Sequence, residues 1–344
     1  MPDPLAAVVP KPDAEDAIAA LRAEGVYDDS RRVREHDGET VALPVTDHPE
    51  ETPVRDVIRQ ADPAFRGGDL ATLLRERGWD DAEIERAPKS WAVVGDVVLV
   101  SFGDCERREA VGEALLDLHR EADTVLARHG IAGEHREPDV EVVAGEGDTE
   151  TVHTEHGTRY ALDLSQVMFS PGNQAERVRM GDVVAAGERV LDMFAGVGYF
   201  TLPMARAGAD VTAVERNPAA FRFLLENVML NGVQDRVSPF RDDCRTVVES
   251  LSEGEDSGDG GVERVVMGYY DAHEYLDAAL DALAPGGVLH VHATTPEHLL
   301  WDRPVERLTA AADEAGRSVE VLGRRRVKSH SEGVWHVVVD ARVD

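Results

Sequence analysis

The sequence predicts an α/β protein whose larger part is a doubly wound parallel sheet closed by a terminal antiparallel hairpin, preceded by small α+β modules. Three observations carry that prediction. Arg189-Val-Leu-Asp-Met-Phe-Ala-Gly-Val-Gly-Tyr-Phe200 reads as a short buried strand, a glycine turn and a helix start. Further strand-length apolar runs follow at 211–215, 262–267 and 288–292. Residues 319–322 and 334–339 then read as two strands that complete the sheet as a hairpin.

With 344 residues the chain accommodates an α/β domain of about 200 residues and smaller ones beside it. Its net charge is −31, from 67 acids against 36 basic residues, and only Lys11, Lys89 and Lys328 are lysine. The acids are spread along the whole chain, so this is no acidic tail. Such a charge ordinarily means avoidance of nucleic acid. A cytosol at molar salt is the other reading, since the Debye length falls to about 3 Å at 1 M and self-repulsion is screened. Scarce lysine with abundant Asp, Glu and Arg favours that halophilic setting. There, local basic clusters say more about partners than bulk charge does.

Cys105 and Cys244 are too few for a disulfide framework, and no CxxC occurs. The start, Met1-Pro-Asp-Pro, has neither a basic nor an apolar leader region, and no run approaches the roughly 20 apolar residues of a membrane span. A cytoplasmic protein with no membrane partner is expected.

In chain order, residues 1–50 form a small α/β module, with a helix at 13–24 (Ala17, Ile18 and Leu21 on one face) and a strand at 41–45. Residues 51–88 read mainly as a connection with one helix at 69–77. Residues 89–162 form an α+β module. It has a strand at 91–100, a helix at 107–127 with Ala110, Ala114, Leu115 and Leu118 inward, and strands near 140–144, 149–155 and 158–164. Residues 163–344 form the domain of the doubly wound sheet. A turn at 170–173 leads into a helix over 176–184. Asn217-Pro218 is a cap and first helical position, Phe221, Leu224, Leu225 and Val228 make the buried stripe, and Gly232 stops the helix. Residues 252–261 form a solvated Gly/Asp/Glu insertion.

The glycine turn sits where ligands bind in such sheets. At Gly196 and Gly198 a Cβ would hold the backbone away from a ligand. The dinucleotide fingerprint wants a third small residue where Thr201 stands, which weakens an NAD reading. Asp192, just before the turn, would repel a pyrophosphate but suits the ammonium and sulfonium of S-adenosylmethionine. Glu215, 17 residues after Gly198, ends the next strand and is placed for ribose hydroxyls. Asp243, after the third strand, can accept from the adenine amino group, with Asp242 as competitor and a solvated acid as the plain alternative. Ser170 and Arg177 are seven apart, so one turn and one helix start can aim both at a ligand. An arginine fork suits the methionine carboxylate, and a helix-surface salt bridge is the alternative. His290 and His292 share one strand face, but no third ligand stands at metal spacing, so packing or site lining is expected and no metal. Arg324-Arg325-Arg326-Val327-Lys328 with His330 is the densest basic cluster, suited to phosphates beside the pocket mouth. A strand with solvated arginines is its plain alternative.

Several ordered motifs also resemble one family. They are Val94-Gly-Asp96, His135-Arg-Glu-Pro138, Ala144-Gly-Glu146 with His153-Thr-Glu155, Phe169-Ser-Pro171, residues 192–198, and Val327-Lys-Ser-His-Ser-Glu-Gly-Val-Trp-His-Val-Val-Val-Asp340. The chain resembles the archaeal and eukaryotic enzymes that modify the purine 3′ of the tRNA anticodon. These are a guanine-N1 methyltransferase and a wyosine-pathway aminocarboxypropyltransferase. The resemblance implies a class I methyltransferase-like (Rossmann-like) fold. The methyltransferase branch carries an arginine after the Ser-Pro turn and Asn-Leu-Pro after the fourth strand, whereas this sequence has Gly172 and Met267-Gly-Tyr-Tyr270. Ser-Pro-Gly-Asn173, His273-Glu274, His290-Val-His292 and Thr295-Pro-Glu297 resemble the transferase branch instead.

That branch implies transfer of the 3-amino-3-carboxypropyl group of S-adenosylmethionine to C7 of 4-demethylwyosine at position 37 of tRNA(Phe), with methylthioadenosine leaving. It places ligand contacts on Ser170, Arg177, Glu215, Asp243 and its neighbour Cys244, a position usually occupied by Asn, beside the turn residues Asp192 and Gly196. The N-terminal modules, residues 1–50 among them, would grip the tRNA by its anticodon loop. A monomer is expected, and no residue is assigned as general base. The alternatives are tRNA guanine-37 N1-methylation and, more remotely, a non-catalytic RNA-binding protein with a degenerate cofactor fold.

Overall fold

The chain forms two units, Met1–Ala87 with Gly103–Arg120 and Pro88–Phe102 with Glu121–Asp344, in a computed structural model that describes residues 4–29, 31–60, 69–133, 137–253 and 261–344. The first unit opens with a strand, Leu5–Pro10 (β1), whose four central residues are buried. With Arg34–Glu35 (β2), Thr40–Val45 (β3) and Asp56–Arg59 (β4) it makes an antiparallel sheet ordered β2-β3-β1-β4. Ala14–Glu24 (α1) is the helix expected over 13–24, and its Ala17 and Leu21 pack with Ala7, Val9 and Leu43. Arg31 is buried and ties two strands, its Nη2 donating to the Leu5 and Val45 carbonyls at 2.7 Å each while Asp28 accepts from Nε at 2.6 Å.

Residues 51–88 are more than a connection. They supply β4, then Leu70–Glu76 (α2) and Asp81–Arg86 (α3), the latter started by a reciprocal capping box between Asp80 and Glu83. Arg108–Leu118 (α4) ends well before residue 127, where the sequence pattern placed the helix end. Residues 124–127 are buried inside a sheet instead, so strand pairing overrides their helical spacing.

In the second unit the expected single strand over 91–100 is a hairpin, Trp91–Val94 (β5) and Val97–Val100 (β6). Gly95 makes the turn at φ +59°, and a Cβ there would lie 1.9 Å from Thr151 Oγ1. Thr124–Ala132 (β7) runs parallel to β6, and Glu137–Gly145 (β8) antiparallel to β7. Glu150–Glu155 (β9) and Thr158–Asp163 (β10) form a separate hairpin. Residues 135 and 136 of the His135–Pro138 motif, and 254–260 of the expected insertion, lie outside the described residues.

The remaining elements are Gln174–Val183 (α5), Arg189–Asp192 (β11), Thr201–Arg206 (α6), Asp210–Val214 (β12), Pro218–Leu230 (α7) and Val237–Phe240 (β13). They continue with Cys244–Glu253 (α8), Val262–Met267 (β14), Leu276–Ala282 (α9), Leu283–Pro296 (β15), Asp302–Glu314 (α10), Val319–Ser331 (β16) and Val334–Val343 (β17). The seven strands are ordered β13-β12-β11-β14-β15-β17-β16, the first five parallel and β17 antiparallel to both neighbours. This is the expected class I methyltransferase-like sheet with its terminal hairpin. Strand order reverses between β11 and β14, which opens a crevice beyond the strand C-termini.

Val190, Val211 and Phe223 on one side of this sheet share a core with Val97, Leu126, Tyr160 and Leu162. Residue 162, where the sequence reading ended the α+β module, is therefore no boundary between cores. Leu191, Val265 and Leu289 meet Leu280 and Leu308 on the other side. In α7 the buried stripe is Phe223, Leu224 and Val228, while Leu225 is 42% exposed. The helix is turned by buried Asn227, whose Nδ2 donates to the Ala161 and Val197 carbonyls at 2.9 Å and whose Oδ1 accepts from Ala161 N at 2.6 Å. Among the described residues, no helix is long and apolar enough to cross a membrane.

Candidate active site

A cavity of about 790 Å³ lies at the strand C-termini of the second unit. It collects Ser170, Arg177, Gly196, Glu215, Asp243, Cys244 and Lys328 on its walls, out of segments up to 158 residues apart in sequence.

The turn after β11 is built from within. Asp192 is fully buried and does not line the cavity, contrary to the expected contact with an ammonium or sulfonium. Its carboxylate accepts from Thr201 Oγ1 at 2.7 Å and from Phe194 N at 3.4 Å, pinning both ends of the turn. Burial, helped by the nearby Glu215 charge, pushes its pKa up to about 6. Thr201, which spoils the dinucleotide fingerprint, is therefore the partner that lets an acid sit there. Gly196 adopts φ +58°, and a Cβ on it would reach within 2.4 Å of the Tyr199 ring. Its N–H donates to Glu215 Oε2 at 2.8 Å, while Asn217 N donates to Oε1 at 2.7 Å. Each Glu215 oxygen thus keeps capacity for a hydroxyl in the cavity. Burial raises the Glu215 pKa against the lowering effect of those two N–H groups.

Asp243 is half-buried and forms a two-pronged pair with Arg245, at 2.8 Å to Nε and 2.7 Å to Nη2, which lowers its pKa. Cys244 is buried, and burial pushes its thiol up to about 12, so it stands there as an uncharged wall. Phe194, Tyr269 and Tyr275 form an aromatic cluster, with ring centroids 5.1 Å (Phe194–Tyr269) and 5.0 Å (Phe194–Tyr275) apart. Gly268 follows β14, and a Cβ on it would lie 2.8 Å from the Phe200 ring.

Arg177 lines the cavity but is only 2% exposed, because its guanidinium is engaged. It donates to Glu155 at 2.6 and 2.7 Å and to the Ser170 carbonyl at 3.0 Å, and it stacks 4.8 Å from the Phe169 ring centroid. Its partner is thus a protein carboxylate and a turn carbonyl, which makes it a brace for the Phe169-Ser-Pro turn. The sequence reading missed Glu155 in this role, although His153-Thr-Glu155 was among the family motifs. His153 Nε2 lies 3.1 Å from Glu155 Oε1 and completes the brace.

The basic cluster on β16 divides. Arg324 and Arg326 are exposed, with Arg326 stacked 4.9 Å from the Trp335 ring centroid. Arg325 is not available to phosphates as expected, because strand alternation turns it the other way. It pairs there with Glu176 at 2.7 Å and with Asp340. Lys328 turns into the cavity, where its Nζ meets Ser170 Oγ and its Cδ would lie 3.2 Å from a Cβ on Gly172. His290 joins the Asp340 network, its Nδ1 2.6 Å from Asp340 Oδ1. Asp340 is held well below the usual carboxylate range by His290 and Arg325, against burial. Among the described residues, no group of three or more His, Cys, Asp or Glu side chains is placed to hold a metal ion.

Known proteins resemble the chain over most of its length. A profile described as the TRM5/TYW2 methyltransferase domain matches residues 151–322, and one described as the TYW2 N-terminal domain matches 70–149. The chain is 39% identical over 265 residues to a tRNA(Phe) (4-demethylwyosine(37)-C(7)) aminocarboxypropyltransferase of Pyrococcus horikoshii, covering 76% of this chain and 91% of that one. It is 32% identical over 260 residues to a tRNA (guanine(37)-N(1))-methyltransferase Trm5b of Pyrococcus abyssi, covering 74% and 75%. The crystal structure of P. horikoshii TYW2 in complex with MeSAdo superposes with a TM-score of 0.66 at 35% identity, covering 79% of this chain and 97% of that one.

Proposed function

Because the chain belongs to the TRM5/TYW2 methyltransferase family, we propose that it moves the 3-amino-3-carboxypropyl group of S-adenosylmethionine to C7 of 4-demethylwyosine at position 37 of tRNA(Phe), releasing methylthioadenosine. The observation that carries this over guanine methylation is Gly268. The methyltransferase branch places an asparagine there, beside the base, as part of the polar environment that takes up the guanine N1 proton. Here the Phe200 ring fills that space, at 2.8 Å from where a Cβ would begin.

The donor supplies three electrophilic carbons around one sulfonium, and the carbon in line with the nucleophile decides the product. Glu215 suits the ribose hydroxyls, since two backbone N–H groups fix its carboxylate and leave acceptor capacity toward the cavity. Asp243 suits the adenine amino group, and Cys244 packs beside it without charge. Ser170, with Lys328 on its hydroxyl, takes the methionine arm, and Arg177 holds the turn that carries Ser170. Gly172 stands where the methyltransferase branch carries an arginine, and here the Lys328 side chain lies against it, 3.2 Å from where a Cβ would begin.

The acceptor is a tRNA whose base is splayed out of the anticodon loop to reach the cavity. Arg324 and Arg326 meet its phosphates, and the N-terminal module contributes to the grip. The enzyme works as a cytoplasmic monomer. Donor labelled separately in its methyl and carboxyl carbons, offered with tRNA bearing guanosine or demethylwyosine, tests the reading. Carboxyl label entering only the demethylwyosine tRNA, with methylthioadenosine released, supports it. Methyl label on guanosine alone would make the enzyme a guanine-37 methyltransferase.

A further inference from the structure

Two buried imidazoles, His336 at the cavity wall and His292 behind it, have no task in the scheme above. His336 on β17 is 1% exposed and lines the cavity. Its Nε2 lies 3.0 Å from Nδ1 of buried His292 on β15. The outer nitrogens of the pair, His336 Nδ1 and His292 Nε2, are buried with no hydrogen-bond partner. His290, two residues along the same strand, shows what a structural histidine looks like here. One of its nitrogens meets Asp340 and the other Arg264, both at 2.6 Å. Buried polar atoms ordinarily find partners, so two orphans at the ends of one pair point to a role that needs them open.

A neutral pair holds two protons on four nitrogens, one of them in the N–H···N contact. When His336 Nε2 donates to His292, His336 Nδ1 carries a bare lone pair. Lys328 and His330 of β16 and Glu176 of α5 act on His336, and the Tyr270 ring meets it edge-on at 4.9 Å. His292 faces His290 on its own strand, Arg325 of β16, Asp340 of β17, Arg179 of α5 and the Phe200 ring at 5.2 Å. Burial is the main cause that pushes His336 down to about 2 and His292 down to about 3, so both are neutral at any working pH.

Resting on the aminocarboxypropyl reading, we propose that His336 takes the C7 proton of the tRNA base and that His292 shares the resulting charge. The C7 electron pair forms the bond to the methionine Cγ. The Cγ–S bond breaks with both electrons going to sulfur, which neutralises the sulfonium. The base is then cationic and tetrahedral at C7. It loses its C7 proton to His336 Nδ1 and regains aromaticity. The histidine pair holds one extra proton, which passes to water when the product leaves. Such a cation is a strong acid, so a weak base that is always neutral suffices.

The test uses tRNA carrying demethylwyosine with either hydrogen or deuterium at C7, under single-turnover conditions. In the wild type, attack should limit the rate and the two substrates should react alike. His336→Asn should slow transfer by about 10²–10⁴-fold, the range for a lost general base, and a primary isotope effect should appear as proton loss becomes limiting. Calorimetric binding of methylthioadenosine should be unchanged, and His292→Asn should show a smaller slowing with the same new isotope effect. Nitrogen NMR of the wild-type imidazoles, which requires no variant to fold, should show the pair neutral from pH 6 to 8. A His336→Asn enzyme at the wild-type rate, slowing without an isotope effect, or a charged His336 at pH 7 would each overturn the proposal. A wild type that makes no aminocarboxypropyl product would instead remove the reading beneath it.

Discussion

The Arg177 guanidinium closes on the Glu155 carboxylate through two hydrogen bonds of 2.6 and 2.7 Å, with both side chains buried. Removing one partner of such a pair leaves a charge without compensation in the interior. Glu155→Ala should therefore destabilise the protein by about 3–5 kcal/mol, measured by denaturant unfolding. A loss below 1 kcal/mol would mean that Arg177 finds another partner and that the brace is not structural.

Glu215 is held by two backbone N–H groups at the cavity wall. Glu215→Ala should weaken S-adenosylmethionine binding by about 1.5–3 kcal/mol, the range for hydrogen bonds to a charged group. Calorimetry that finds wild-type affinity would take Glu215 out of the ligand contacts.

Asp192 carries a pH signature. Its pKa is about 6 in the fold, against about 3.9 for an unfolded aspartate. Between those values the folded state binds more protons, so stability falls as pH rises. Asp192 should cost the wild type about 2–3 kcal/mol between pH 4 and pH 6.5. Asp192→Asn should remove that slope, seen as the difference between wild-type and variant unfolding curves. Identical pH profiles would show that the carboxyl is not titrating in this window.

On β16, alternate arginines have different work. Arg324→Gln with Arg326→Gln should weaken tRNA binding and make the logarithmic salt slope shallower by about 1.4–1.8, because two phosphates are no longer neutralised. Arg325→Gln should instead lower stability, because of the two arginines they share Glu176 and Asp340 then keep only Arg179. An unchanged salt slope in the double variant would return both arginines to solvent.

The charge of −31 on 344 residues should make the fold salt-dependent. Thermal melts from low to molar KCl should show a rising midpoint. A midpoint independent of KCl would rule out the halophilic reading.

Local patterning alone was enough for the parallel strands β11, β12, β14 and β15, for Asn217 as a cap and for the glycine turn, because each depends on residues within one or two turns of chain. Glu215 and Asp243 were legible as rim residues for the same reason: a strand's end is a local fact, and doubly wound sheets put ligands there. What the sequence left undecided was which charges remain free. Asp192 and Arg177 carry the residue types a ligand would want, yet Asp192 meets Thr201 and Arg177 meets Glu155, 22 residues away. Arg325 looked like its neighbours until strand alternation turned it onto Glu176, 149 residues distant. Asn227 likewise rotated a helix whose apolar spacing alone favoured Leu225. Gly95 split an apolar run that periodicity could not divide, and buried pairing took residues 124–127 from helix to strand. Burying an ion or an amide requires a partner, and folding draws that partner from anywhere in the chain. Element type was thus written locally, while the choice between ligand contact and internal brace was made only when distant segments closed around the cavity.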